Sequence, residues 1–120
     1  MLRCRGKDYH CALEYAVDII GGKWKPRILL VLDFKDPIRF TDLEREMHDT
    51  SRKVLTQQLR ELERDCVVTR KIFPEVPPRV EYALTERGKE LMPILHQLRE
   101  WGNDHITFLN ELETEAVTKR

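Results

Sequence analysis

The sequence predicts an α+β fold in which two short helices meet at a tight turn, a two-stranded hairpin follows, and additional helices flank the unit at both ends. Three observations carry this reading. Apolar positions recur at helical spacing in five segments, from Cys11 to the C-terminal region. The period changes to two residues between Val67 and Leu84, where Pro74-Glu75-Val76-Pro77-Pro78 interrupts it. A length of 120 residues fits one domain with a modest core, so a partner subunit would add useful burial.

Residues 1–10 are polar, carry Arg3, Arg5, Lys7 and Asp8, and are expected to form a flexible N-terminal segment. Cys11, Tyr15, Ala16, Ile19 and Ile20 then follow a helical period until Gly21-Gly22 stops it. A second helix is expected from Trp24 to Phe34, ending near Asp36-Pro37. Pro26 falls in its first turn, where a missing N–H costs little. In Phe40-Thr41-Asp42-Leu43-Glu44, Thr41 is placed as the cap of a short helix reaching Met47, with Glu44 completing a capping box and Phe40 as staple. His48-Asp49-Thr50 makes the turn, and Ser51 or Asp49 caps the next helix. There Val54, Leu55, Leu59 and Leu62 share an inward stripe, while Arg52, Lys53, Thr56, Gln57 and Arg60 face outward.

Val68, Arg70 and Ile72 oppose Val67, Thr69, Lys71 and Phe73 in a strand-like alternation, which Val80, Tyr82 and Leu84 resume. Proline supplies no ladder hydrogen bond, so the intervening segment is the stiff tip of a hairpin. Thr85 then caps a long helix whose Leu91, Leu95, Leu98 and Trp101 form a stripe widened by Ile94. Gly102-Asn103 is expected to loosen or kink it, and Ile106, Phe108, Leu109 and Leu112 carry apolar surface onward. A second subunit is the natural cover for such a tail. This order is that of a winged helix-turn-helix with additional N- and C-terminal dimerisation helices. The DNA-binding domain is placed at 11–105, after the segment 1–10, and a helical extension contributing to dimerisation at 106–120.

Lys and Arg total 21, as do Asp and Glu, but the balance is uneven along the chain: residues 1–80 hold 16 basic against 13 acidic, and residues 81–120 hold 5 against 8. Between Ser51 and Arg79 seven basic residues face four acidic ones. In a winged helix the second helix enters the major groove and the hairpin touches the backbone or minor groove. The DNA-binding candidates are therefore Ser51, Arg52, Lys53, Thr56, Gln57 and Arg60 on the helix, with Lys71 and Arg79 on the wing. Arg52, Lys53 and Arg60 suit phosphates or guanine edges, and Gln57 has the paired donor and acceptor that match adenine. Lys71 and Arg79 suit phosphates, which position without reading sequence. The competing reading of each charge is a solvated surface.

Three cysteines, Cys4, Cys11 and Cys66, cannot all pair within one chain, and no C-x-x-C spacing appears, so a reducing compartment is expected. Cys11 stands at a helix start near Lys7 and His10, where free N–H groups and positive charge favour a thiolate. That makes it a redox-sensing candidate, against the plainer reading of a small buried apolar residue. Cys4 is a weaker candidate as a resolving thiol, and Cys66 reads as packing. His10, His48, His96 and His105 have no metal-ligand spacing, and Gly21-Gly22-Lys23 lacks the other glycines of a phosphate loop. No catalytic residue, metal or cofactor is expected. Without a signal-peptide pattern or an apolar run near the ~20 residues of a membrane span, a cytoplasmic protein with no membrane partner is expected.

Taken together, the motifs resemble those of the HxlR family of bacterial winged-helix regulators, related in architecture to MarR-type proteins. The resemblance rests on Cys11, Ile20-Gly21-Gly22-Lys23-Trp24, Arg39-Phe40-Thr41-Asp42-Leu43, Lys53-Val54-Leu55-Thr56-Gln57-Gln58-Leu59-Arg60-Glu61-Leu62-Glu63, and Val76-Pro77-Pro78-Arg79-Val80-Glu81-Tyr82-Ala83-Leu84-Thr85 with Gly88. It implies a homodimer on double-stranded operator DNA, built by the terminal helices, with the helix from Ser51 to Glu63 in the major groove. It also implies that Cys11 matches the family's recurring N-terminal cysteine, which in some members senses oxidants, quinones or aldehydes. Two positions depart from the family. Cys66 stands where glycine is common, so a turn needing positive φ would be strained. Thr50-Ser51 replaces Ile-Ser, removing apolar surface that would hold the turn.

The functional expectation is a sequence-specific DNA-binding transcriptional repressor responsive to oxidants or small electrophiles through Cys11. Modification of that thiol would shift the dimer between arrangements with different spacing of the recognition helices. One alternative is a protein-binding winged-helix module without direct DNA recognition. Another is a small-molecule or haem binder using Trp24, Tyr15 and the histidines around an apolar cavity.

Overall fold

The structure, a computed structural model, describes residues 1–118. Leu2–Cys4 (β1) and Lys7–Tyr9 (β2) are followed by Ala12–Ile20 (α1), Lys25–Phe34 (α2), Ile38–Arg39 (β3), Phe40–Glu46 (α3) and Arg52–Arg64 (α4). Val68–Phe73 (β4), Arg79–Leu84 (β5) and Glu86–Thr118 (α5) complete the chain. The second sheet has the antiparallel order β3-β5-β4, so the architecture is the expected α+β winged helix-turn-helix with flanking helices.

Residues 1–10, expected from the sequence as a flexible segment, have regular secondary structure. They form an antiparallel hairpin with Leu2 opposite Tyr9 and Cys4 opposite Lys7. Its two turn residues, Arg5 and Gly6, both have positive φ, 49° and 80°, the conformation that matches the twist of paired strands. Arg3 reaches Asp8 across the hairpin at 3.0 Å. The hairpin rests on α1, where the Tyr9 hydroxyl donates to Asp18 at 2.8 Å and the Tyr9 and Tyr15 rings meet edge to face.

The core is built by α2, α3, α4, the sheet and the start of α5. Ile28, Leu29 and Leu32 of α2, Leu43 of α3, and Leu59 and Leu62 of α4 have no exposed surface. α3 begins one residue before its expected cap, at Phe40, so Thr41 lies inside the helix and no capping box forms. The reason is long-range: Ile38 and Arg39 pair with Tyr82 and Glu81 of β5, which keeps the chain extended up to Arg39. Glu44 instead faces Arg52, 3.7 Å away, and Phe40 packs beside Tyr82.

α4 follows its sequence closely. The Ser51 hydroxyl accepts from the Val54 N–H at 3.1 Å, capping the helix, and Leu55, Leu59 and Leu62 are buried as its inward stripe. Asp49, the other candidate cap, accepts from both terminal nitrogens of Arg27, at 2.8 and 3.0 Å. That guanidinium holds the Asp49 carboxyl down at about 2. The Thr50 hydroxyl is buried without a partner among the described residues, in a turn where an apolar side chain would leave no such donor.

The end of α4 meets the strain expected at Cys66. Its φ is +62°, and its N–H bonds to Glu63 O while the Val67 N–H bonds to Leu62 O, both at 3.0 Å. This is the Schellman arrangement with cysteine where glycine is usual. The same turn anchors α5. The Thr85 hydroxyl accepts from the Gly88 N–H at 2.9 Å and donates to Cys66 O at 2.7 Å. Gly88 sits so close to β4 that an added Cβ would lie 2.2 Å from Val67 O.

α5 runs unbroken for 33 residues, without the loosening expected at Gly102-Asn103. Gly102 lies at an open site where a Cβ would meet no neighbour within 4 Å, so its cost is limited to propensity, about 1 kcal/mol. The helix leaves the body after Leu95, giving a radius of gyration of 18.0 Å, well above the ~13.5 Å of a compact chain this long. It is tied to α2 by His96, whose Nε2 is 2.7 Å from Asp33 and whose Nδ1 is 3.0 Å from Arg99. An arginine only donates, so Nδ1 accepts and Nε2–H donates to Asp33. Residues 119 and 120 of the expected 106–120 extension lie outside the described residues. Among the described residues no helix is long and apolar enough to cross a membrane.

Candidate nucleic-acid interface

The leucine stripe of α4 is turned to the core, and the opposite face is left largely to solvent. Arg52, Lys53, Thr56, Gln57 and Arg60 line one continuous groove along it, together with Glu61 and Arg64. Five of the eight sequence-predicted residues are therefore brought together. Ser51 stands just before them with its oxygen spent on the cap, leaving its O–H as donor. Arg64 was missed because the helix was read as ending at Glu63; the signal lay in its i+4 spacing from Arg60.

The cations of the groove are loosely held. Arg52 lies over the Phe40 ring at 5.3 Å and 3.7 Å from Glu44, and Arg64 is 3.7 Å from Asp65. Among the described residues no carboxylate pairs with Lys53 or Arg60 within 4.0 Å, so both are free to meet an anion. The arrangement offers four guanidinium or ammonium groups with a hydroxyl and an amide between them. That is the chemistry of phosphate attachment combined with base-edge readout.

The wing is organised differently. Lys71 is exposed, its ammonium 4.9 Å from the Phe73 ring. Arg79, the second wing candidate, is held more closely than Lys71. Its side chain is 24% exposed, stacks on Phe73 at 3.9 Å, and sits 3.3 Å from Glu75 and 3.2 Å from Glu81. The Nε–H points off the line to Glu81 and is left without a hydrogen bond. Register explains the capture: Phe73 is opposite Arg79, Lys71 is opposite Glu81, and residues 79 and 81 share one face of β5.

The Cys11 side chain is exposed, against the buried reading, and the residue occupies the extended N-cap position of α1 without a side-chain cap bond. Glu14 reaches back to accept from the His10 N–H at 2.8 Å, and Lys7 lies 4.0 Å from Asp18. All three cysteines are free thiols. Leu13 and Val17 on α1 and Ile94, Leu98, Trp101, Phe108, Leu109 and Leu112 on α5 are exposed apolar side chains.

The features invoked for a haem site do not converge. Trp24 packs against the core under Lys23 and Arg27, His96 is engaged by Asp33 and Arg99, and His105 stacks on Trp101 at 4.6 Å. Among the described residues no group of three His, Cys, Asp or Glu side chains is placed to hold a metal ion.

The family model for HxlR-like helix-turn-helix proteins matches residues 19–119. An uncharacterized HTH-type transcriptional regulator of Methanothermobacter thermautotrophicus is 49% identical over 96 residues, which is 79% of this chain and 72% of that protein. The uncharacterized HTH-type transcriptional regulator YybR of Bacillus subtilis is 40% identical over 110 residues, 91% of this chain and 86% of that one. The solved structure of the redox regulator HypR in its reduced form matches with a TM-score of 0.78 at 40% identity, covering 84% of this chain and 99% of that one. Its oxidized form matches with a TM-score of 0.72 at 42% identity, covering 78% and 96%.

Proposed function

This chain belongs to the HxlR-like helix-turn-helix family of transcriptional regulators, and on that premise we propose that it is a sequence-specific repressor that binds operator DNA as a homodimer. The observation that carries the reading is the groove along α4, where Lys53 and Arg60, without carboxylate partners among the described residues, stand with the loosely held Arg52 and Arg64 among polar side chains on a helix whose leucine stripe is buried. In this reading Arg52, Lys53, Arg60 and Arg64 neutralise phosphates or reach guanine edges, and Gln57 reads adenine. Ser51 and Thr56 add shorter contacts, and Lys71 fastens the wing. The exposed apolar faces of α1 and α5 pair with those of a second copy, which sets the distance between two α4 helices and hence the half-site spacing. Salt-controlled binding to tiled fragments of the genomic neighbourhood tests this. One fragment preferred over the rest, with affinity falling steeply in salt, is the expected result; equal binding to every fragment contradicts it.

A thiol-controlled form of this regulation is favoured by the likeness to a redox regulator and by the exposure of Cys11 at the start of α1. Oxidation or alkylation there would act on a helix whose Leu13 and Val17 belong to the proposed dimer face. Operator release after diamide treatment, abolished in Cys11→Ser, is expected. Unchanged operator affinity after verified modification of Cys11 rules this form out.

A further inference from the structure

The N-terminal hairpin, α1 and the last turns of α4 surround a cavity of about 680 Å³, within the range of small-molecule sites. Glu61 and Arg64 line both this cavity and the α4 groove, so its contents would touch side chains that face DNA. Two tyrosines supply aromatic wall: Tyr9 and Tyr15 meet with ring centroids 5.5 Å apart at 80°, and Ile19 adds an apolar surface. The neighbouring Cys4 thiol and burial push the Tyr15 phenol up, and the bond to Asp18 pushes Tyr9 up to about 12, so both rings stay neutral.

The charges around this wall do not close. Lys25 is nearly buried and firmly paired with Glu61 at 2.7 Å. Arg5 and Arg64 share a single carboxylate, that of Asp65, at 3.8 and 3.7 Å. Lys7 stands 4.0 Å from Asp18, which already accepts the Tyr9 hydroxyl. Four cations thus face three carboxylates, and three of the four lie beyond hydrogen-bond distance of their partners. The cluster is one negative charge short of balance, and beside it the two tyrosine rings stand nearly perpendicular, one offering its face and the other its edge.

We propose that this cavity is an effector site for a small aromatic monocarboxylate, its carboxylate held by Arg5 and Arg64 and its ring against Tyr9 and Tyr15. Occupancy draws Arg64 toward the cavity and away from the groove, lowering the affinity of α4 for DNA. The regulatory half rests on the reading of α4 as the DNA-binding helix; the binding half does not.

Calorimetry on the reduced full chain, with benzoate as probe and no DNA present, separates the two. One benzoate per chain is expected, about tenfold tighter than acetate, which lacks the ring, or benzyl alcohol, which lacks the charge. Arg5→Gln, on the exposed hairpin turn, and Tyr15→Leu each weaken benzoate about tenfold, whereas Arg45→Gln, outside the cavity, leaves it unchanged. With DNA added, saturating benzoate weakens binding about fivefold, and Arg5→Gln removes that effect. Absence of benzoate binding, acetate binding as tightly, or wild-type affinity in both cavity variants overturns the site. Benzoate bound as expected with DNA affinity unmoved overturns the coupling. Failure of all DNA binding leaves the calorimetric result to stand or fall separately.

Discussion

α4 and the wing, the two surfaces proposed to meet DNA, hold their cations in opposite ways. On α4 the leucine stripe consumes the inward face, so Lys53 and Arg60 project outward and none of the described carboxylates lies within 4.0 Å of them. On the wing Arg79 is stacked on Phe73 and flanked by Glu75 and Glu81, leaving Lys71 as the accessible charge. The contrast shows that a basic count is a poor guide to a binding surface. What matters is how many cations the fold leaves without an internal partner, and that follows from helix periodicity in one region and strand register in the other.

If this contrast holds, removing two α4 cations is the most damaging change. Lys53→Ala combined with Arg60→Ala is expected to weaken operator binding by on the order of 100-fold and to reduce the log–log salt slope by about 2. Fluorescence anisotropy across a salt series reads both. On the wing, Lys71→Ala should lower the slope by about 1, whereas Arg79→Ala should leave it nearly unchanged because its charge is already balanced. Equal slopes for the two wing variants would erase the distinction drawn here.

Glu81→Gln sharpens the comparison from the other side. Removing that carboxylate frees Arg79 from one of its two acidic neighbours, so affinity should rise about threefold, with a steeper salt dependence. Beneath both surfaces, Cys66→Gly should stabilise the fold by about 1 kcal/mol in urea unfolding, since glycine adopts φ +62° without a Cβ penalty. Binding relative to wild type should stay the same, since glycine keeps the backbone bonds by which the turn joins α4, the wing and α5.

The smallest effect is expected at the turn before α4. The Asp49 carboxyl is held at about 2, below its ordinary 3.8, so its contribution is present above the ordinary value and lost as pH falls through the lowered one. Asp49→Asn should therefore be slightly less stable than wild type at neutral pH, and the gap should close between about pH 4 and pH 2. The pair with Arg27 is exposed, so salt should narrow the gap at every pH.

How far the sequence could be read depended on the range of the interaction that decides each element. α4, its Ser51 cap and its outward residues rest on contacts within a few positions, and period and cap chemistry revealed them. The strain at Cys66 was also local, a cysteine at a turn where glycine is common in the family it resembles. The start of α3 was misplaced because β3 pairs with a strand more than forty residues later. The N-terminal hairpin escaped notice because three-residue strands carry almost no period and Arg5-Gly6 lacks the Asn or Asp that marks such turns. At the wing, the environment of Arg79 was hidden for a related reason: its contacts depend on Phe73 lying opposite it in the β4–β5 register. Tyr15 was singled out from the sequence, yet its partner Tyr9 comes from a hairpin that the sequence had hidden.

The central claim is that α4 reads DNA sequence, and base-by-base substitution of the preferred fragment against wild type and Gln57→Ala tests it most directly. Wild type should lose about 1–3 kcal/mol at each contacted base pair, and Gln57→Ala should lose discrimination at one position while keeping the others. A Gln57→Ala profile identical to wild type at every position, or a wild-type profile that is flat, would contradict it.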